Sequence, residues 1–272
     1  MPSGVPTLLR DLLHDRTGIF FEADRLDLLL EKLGDRVRAC GFGSYLDYYY
    51  LLKYDPSSDA EWRRVMDALS VQETYFWREM SQIHALVDVL VPAWFQRCTD
   101  PLHIWSAACA TGEEPFTLGI ALREAGWQDH PITIHASDAS EAALEKARAG
   151  VYRERSFRAL PGELRRKYFD SEGGLSRLRR ELLPPVTFQR ANLVSAADVA
   201  GLATAPVIFC RNVFIYFSPE TIRRTIGMFA AGMPSGGHLF VGASESLLKL
   251  THDFELREVR DAFAYVRVPR EA

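Results

Sequence analysis

A chain of 272 residues, 47% hydrophobic and 25% charged, is long enough to bury one large core and a smaller one, and its composition excludes wholesale disorder. The formal net charge of −4 argues against a general nucleic-acid binder. No apolar run is long enough to span a bilayer and no secretory pattern opens the chain, so a non-membrane protein of the cytoplasm is expected. Cys40, Cys98, Cys109 and Cys210 show neither a pairing rhythm nor metal spacing and read as small buried hydrophobes.

Up to about Trp94 the pattern reads as helical throughout. Leu8, Leu9, Leu12 and Leu13 form an amphipathic first segment, and Leu26, Leu29, Leu30, Leu33 and Val37 recur at helical spacing in a second. A third runs from Tyr45 to Leu52, too aromatic to lie free in solvent. The turn Asp55-Pro56-Ser57-Ser58-Asp59 follows, with Asp59 as candidate N-cap of a helix carrying Trp62, Val65 and Leu69. After Pro101 the rhythm changes. Strand candidates at 103–108, 132–137, 186–188, 207–210 and 238–242 alternate with helical stretches, which predicts a parallel, doubly wound sheet. Segments 254–259 and 263–268 around Arg260-Asp261 read as a closing antiparallel hairpin. Between Gly150 and Pro185 an arginine-rich stretch suits neither a core helix nor a core strand. It reads as an edge insertion, about 150–186, loop-like at Gly173-Gly174 and partly helical around Leu178 and Leu182. The expected division is a helical part over 1–72, a linker and connecting helix over 73–100, and an α/β domain over 101–272.

The strongest local signal is the run Ile104-Trp105-Ser106-Ala107-Ala108-Cys109-Ala110-Thr111-Gly112-Glu113-Glu114-Pro115-Phe116, a strand entering a small-residue turn and then a helix. Such a turn lets a ligand approach the backbone, and helix-end amides bind anionic groups. The run contains neither G-x-G-x-x-G nor a P-loop lysine, which argues against a nicotinamide oxidoreductase or nucleotide hydrolase. Glu113 and Glu114 either compensate the helix dipole or bind a cationic group. Asp138, ending the second strand, is either a helix cap or the carboxylate that holds ribose hydroxyls in doubly wound folds. The seven histidines form no ligand cluster, and no metal is expected.

Four ordered segments carry a resemblance. The run Trp105 to Pro115 resembles the first motif of the CheR family of chemotaxis receptor methyltransferases. Glu73-Thr74-Tyr75-Phe76-Trp77-Arg78-Glu79 is similar to that family's interdomain motif, Phe209-Cys210-Arg211-Asn212-Val213-Phe214-Ile215-Tyr216-Phe217 to its fourth-strand motif, and Gly242-Ala243-Ser244-Glu245-Ser246-Leu247 to the segment after its fifth strand. The resemblance implies a class I methyltransferase fold with an antiparallel C-terminal edge, preceded by a small all-helical domain. It implies S-adenosylmethionine as cofactor, S-adenosylhomocysteine as product, and glutamate methyl esters on a methyl-accepting chemotaxis receptor or similar helical signalling protein as the outcome. Residue by residue, Glu113 would take the methionine amino group and Asp138 the ribose. Asn192 and Leu193 would flank the adenine, and Asn212 and Val213 the methionine end. Gln72 and Thr74 would close over the cofactor, with Arg78 and Tyr216 at the point of methyl delivery. The structural alternatives are an ion pair for Arg78 and a capped core tyrosine for Tyr216, and the motifs around them favour function. The alternative function is a regulatory module that binds the cofactor without catalysis.

Two features depart from the family pattern. The second helix mixes Arg25, Lys32, Arg36 and Arg38 with Asp24, Asp27, Glu31 and Asp35, which gives no basic stripe for an acidic coiled coil and reads as a solvated face. The insertion shows no alternating strands, so a reduced subdomain with no tether for a receptor C-terminal pentapeptide is expected, on a monomer.

Overall fold

The computed structural model describes residues 4–269, and four helices open it: α1 (Val5–Thr17), α2 (Leu26–Ala39), α3 (Tyr45–Tyr54) and α4 (Asp59–Leu69). Each is apolar along one stripe, and Leu9, Leu13, Leu29, Leu33, Tyr48, Leu52, Val65 and Leu69 bury those stripes in one shared core. Ser44 caps α3 by accepting the Leu46 and Asp47 amides. Asp59 is not a cap. Ser58 holds that position, and Asp59 is the first helical residue, where a negative charge favours the helix dipole, with its side chain 3.3 Å from Arg16. Gly18 ends α1 with φ +79°, and a β-carbon there would lie 2.6 Å from Val194, so α1 stops hard against the second half of the molecule.

The pattern does not stay helical to Trp94. Residues 70–75 carry no regular structure, and a turn over 76–79 holds Trp77 (φ +71°) and Glu79 (φ +51°) in the left-handed region. Helix resumes as α5 (Met80–Ala85), passes through a wide turn (Leu86–Leu90) and continues as α6 (Val91–Arg97). The linker departs from helix because its apolar side chains are claimed elsewhere. Phe76 is fully buried, stacked on Phe157 and edge-on to Tyr152 and Phe169, with its amide bonded to the Ser156 carbonyl.

Beyond the linker lie β1 (Leu102–Ala107), α7 (Glu113–Glu124), β2 (Ile132–Asp138), α8 (Glu141–Ala149), β3 (Val151–Tyr152), α9 (Gly162–Tyr168), β4 (Phe169–Glu172), β5 (Leu175–Leu178) and β6 (Val186–Arg190). They are followed by α10 (Ala196–Val199), β7 (Val207–Phe209), α11 (Pro219–Gly232), β8 (His238–Phe240), β9 (Phe254–Val259) and β10 (Ala262–Arg267). The main sheet runs β6-β2-β1-β7-β8-β10-β9; the first five are parallel and β10 is antiparallel to both its neighbours. This is the expected doubly wound sheet with an antiparallel edge. Its central strands are apolar on both faces, as helices on either side require.

The insertion differs from its expected form. It contains a second, three-stranded antiparallel sheet, β3-β5-β4, with a tight turn at Gly173-Gly174, where both glycines have positive φ. Leu178 lies in β5 rather than in a helix, and only a short 3-10 turn spans Arg180–Leu182. The strand is hard to see in sequence because its inward positions are Ser176 and Leu178 while Leu175 points outward, so apolar alternation is lost. The ground for expecting a strandless insertion is therefore gone.

The charges of α2 are not all solvated. Arg36 turns inward to Glu61, giving 2.9 and 2.6 Å bonds to its two carboxylate oxygens, and the Tyr48 hydroxyl donates to Glu61 at 2.7 Å. Burial pushes the Glu61 carboxyl up, but the guanidinium fork and the phenol outweigh it and hold the group below the usual range. A depressed folded pKa stabilises above the unfolded value, about 4.3, and that stabilisation is lost as pH falls through the folded value. Glu61→Ala is expected to cost about 3 kcal/mol near neutral pH, with a smaller loss in acid; urea unfolding of both proteins across pH measures it.

Candidate active site

The strand order reverses at β1, between β2 and β7, and ligands of doubly wound sheets bind at the carboxyl ends beside such a reversal. A cleft opens there in two adjoining lobes. Its main lobe is walled by the loops after β1, β2, β6 and β7 on one side, and on the other by Thr17, Ile19, Met66 and Leu69 from the helical bundle. The second lobe shares Val71, Ala108, Ala110 and Asn212 with the first and extends along the linker past Thr74, Tyr75 and Arg78.

The loop after β1 presents backbone to this space. Ala108 (φ +57°) and Ala110 (φ +47°) line it in left-handed conformations that side chains rarely adopt, and Asn212 (φ +58°) does the same at the end of β7. Gly112 has a different purpose: a β-carbon there would lie 2.8 Å from Ala147, so the glycine allows α7 to pack on α8.

Asp138 sits at the β2 end with one oxygen accepting the Ala110 amide (2.9 Å) and the other the Ser140 amide (2.8 Å). The cap of α8 is Ser140, so Asp138 is not that helix's N-cap. Burial pushes its carboxyl above the usual range, against the pull of those amides. Asn192 and Leu193 form the wall after β6. Asn192 donates its side-chain amide to the Arg16 carbonyl at 2.8 Å, tying that wall to α1. Gln72 lines the main lobe, its Oε1 held by Lys146 at 2.7 Å. Val213, Tyr216 and Phe217 complete it. Burial raises the Tyr216 hydroxyl's pKa, and the neighbouring Arg78 charge opposes the shift.

Nine expected residues thus meet around one cleft: Gln72, Thr74, Arg78, Asp138, Asn192, Leu193, Asn212, Val213 and Tyr216. Glu113 stands back from it. Its oxygens are taken by the Thr111 hydroxyl (2.6 Å) and the Ser156 hydroxyl (3.0 Å), and burial raises its pKa. Glu114 lines the second lobe instead.

Sequence reasoning gave no role to the side chains that hold these loops together. Arg211, 7% exposed, donates to Glu114 (2.7 Å), to Gln82 (3.2 Å) and to the carbonyls of Glu79 (3.3 Å) and Arg78 (3.1 Å). Glu245 accepts the amides of Asn212, Gly242 and Ile215 at 2.8, 2.6 and 3.2 Å. The available signal was a lone arginine after the apolar run Val207-Ile208-Phe209-Cys210, since a charge entering a core must find partners.

The cleft offers apolar faces at Ile19, Leu193 and Phe217, a buried carboxylate at the β2 end, and further carboxylates nearby. That set fits a nucleoside, with a flat base between apolar walls and hydroxyls toward Asp138. Among the described residues, no group of three or more His, Cys, Asp or Glu is placed to hold a metal, and no helix is long and apolar enough to cross a membrane.

Comparison with known proteins agrees with this geometry. Residues 7–70 match the all-alpha domain of CheR methyltransferases, and residues 72–263 match the CheR SAM-binding domain. Chemotaxis protein methyltransferase 2 of Vibrio cholerae is 34% identical, covering 95% of this chain and 91% of its own. The chemotaxis protein methyltransferase of Klebsiella aerogenes is 36% identical over 92% of this chain and 85% of its own, and that of Escherichia coli 33% identical over 92% and 86%. A helical bundle closing a nucleoside cleft on a doubly wound sheet, matched along nearly its whole length, places the chain in the CheR family of S-adenosylmethionine-dependent methyltransferases.

Proposed function

We propose that the chain methylates glutamate carboxylates of a chemoreceptor or related helical signalling protein in the cytoplasm, acting as a monomer. The observation that carries this reading is Tyr216 on the main lobe and Arg78 on the adjoining lobe of one cleft, with no histidine among the described lining residues. Bound S-adenosylmethionine supplies a methyl group on a positively charged sulfur. A glutamate oxygen forms the new O–CH₃ bond as the S–CH₃ bond breaks; the sulfur keeps the electron pair and both charges are cancelled. No proton moves, so no general base is required. What the protein must provide is alignment and exclusion of water. Arg78 fixes the carboxylate through its planar fork, and Tyr216 donates a hydrogen bond and walls off the reacting centre. Asp138 holds ribose, Asn192 and Leu193 flank the base, and Asn212, Val213, Gln72 and Thr74 enclose the methionine end. Glu113 takes the amino group by releasing its hydroxyl partners.

The division into 1–72, 73–100 and 101–272 fits this scheme, with the helical part and the groove recognising the acceptor. We retain the absence of a peptide tether on a new ground. The edge strands of the small sheet, β3 and β4, have only two and four residues, which leaves little edge for strand addition. The alternative of a cofactor-binding regulator without catalysis is disfavoured by relatives matched over nearly the whole chain that are chemotaxis protein methyltransferases.

Incubation with methyl-labelled cofactor and chemoreceptor-containing membranes is expected to give protein-bound label released by mild base, as an ester requires; base-stable label would overturn the assignment. Arg78→Ala is expected to lower methyl transfer by at least about 100-fold while S-adenosylhomocysteine affinity stays within about threefold, and Asp138→Ala to weaken that affinity about tenfold or more; calorimetry with single-turnover rates separates them. Glu113 has a raised folded pKa, so its contribution to stability is fully present below the unfolded value and is lost as pH rises through the folded one. Glu113→Gln is therefore expected to raise Tm at neutral pH, with the gain vanishing in acid, while weakening S-adenosylhomocysteine binding. Melting curves across pH and calorimetry check both.

A further inference from the structure

The carboxylate of Asp138 is aimed by its surroundings, and one part of those surroundings is fixed from outside the sheet. Its two oxygens accept the Ala110 and Ser140 amides, so its direction depends on where Ser140 stands. Ser140 is fully buried, and its hydroxyl is engaged twice. It accepts the Ala143 amide at 3.1 Å as the cap of α8, and it donates to Asp67 of α4 at 2.7 Å. The same Oδ1 of Asp67 accepts the Ala142 amide at 3.2 Å. A residue of the helical bundle, 73 positions before Ser140, thereby completes the turn that carries a cleft carboxylate.

The place and the chemistry of this contact both bear on the cleft. Met66 and Leu69, on either side of Asp67 in the chain, wall the main lobe, while Asp67 itself does not line it. So α4 encloses the lobe with two apolar side chains and, with the carboxylate between them, holds the end of β2. Attraction between charges is not what Asp67 supplies. Burial raises the Asp138 pKa most, and the negative charge of Asp67 adds to that rise, so a carboxylate here opposes ionisation of its neighbour. What Asp67 does supply is one oxygen that accepts a buried hydroxyl and a helix-end amide, which is a matter of geometry.

We infer that Asp67 is a positioning residue for the cofactor, acting through Ser140 to set the orientation in which Asp138 meets the ligand's hydroxyls. The bundle is then part of the ribose site through a residue that does not line the lobe. The inference rests on the ribose role proposed for Asp138.

Calorimetry with S-adenosylhomocysteine on the full chain, in two backgrounds, tests it. Asp67→Ala is expected to weaken affinity about fivefold or more in the otherwise unsubstituted protein, but less than about twofold in an Asp138→Ala background, where a residue acting through Asp138 has nothing left to act on. Asp67→Asn keeps the accepting oxygen and removes the charge, so it is expected to bring affinity back to within about twofold of the unsubstituted protein. Asp67→Ser, shorter and suited to a half-buried helix position, is expected to follow Asp67→Ala and takes its place should that variant not fold. A loss of equal size in both backgrounds would show general support of the cleft wall and overturn the inference. So would an Asp67→Asn variant as weak as Asp67→Ala, or an Asp67→Ala variant of unchanged affinity. Unchanged affinity in Asp138→Ala alone would instead remove the ribose reading, and the inference with it.

Discussion

A single buried guanidinium holds the reaction site in register. Burying a charge is costly, and Arg211 offsets that cost with one carboxylate, one side-chain amide and two backbone carbonyls drawn from three elements. The carbonyls belong to Arg78 and Glu79, the residues of a turn whose left-handed backbone would not persist unsupported. Glu79 in turn reaches the Asn212 side chain and the Ala243 amide, and Glu245 gathers the amides of Asn212, Gly242 and Ile215. Two chain reversals and the linker are thereby fixed to one another by charged side chains that never reach solvent freely. The flexibility expected of an extended linker is removed at Arg78 and Glu79.

The helical bundle belongs to the same device. Asp67 on α4 accepts the Ser140 hydroxyl at 2.7 Å and the Ala142 amide at 3.2 Å, so it supports the first turn of α8 next to Asp138. His14 on α1 bonds Ser218 and Thr221 at the start of α11. With the Asn192–Arg16 bond and the Phe20–Tyr216 bond, these ties surround the cleft.

Much of this was legible in the sequence, for physical reasons that differ by region. The central parallel strands are largely apolar and buried because helices cover both faces, and the closing hairpin announces itself at Arg260-Asp261. Thr74, Arg78, Asn212, Val213 and Tyr216 were legible because ordered motifs carry them, whereas Gln72, Asp138, Asn192 and Leu193 lie outside those motifs and were named through the resemblance of the whole chain. The small sheet of the insertion was not, because its inward positions are a serine and a leucine and its outward ones include Leu175. Arg36 was read as solvated, since nothing local to α2 shows that Glu61, twenty-five residues on, awaits it. Glu245 works through backbone amides, and Arg211 and Glu79 do so in part; a backbone partner leaves no mark in side-chain spacing.

The wall that Ile19, Met66 and Leu69 give to the cleft has a consequence for modularity. A fragment beginning at the linker would retain the whole sheet yet lose one side of its nucleoside pocket, together with the carboxylate of Asp67 that steadies α8. The sheet is therefore not a portable engine to which different docking heads can be attached. Exchanging the bundle for that of a relative exchanges part of the pocket with it, so substitutions in the first and fourth helices reach the cleft itself.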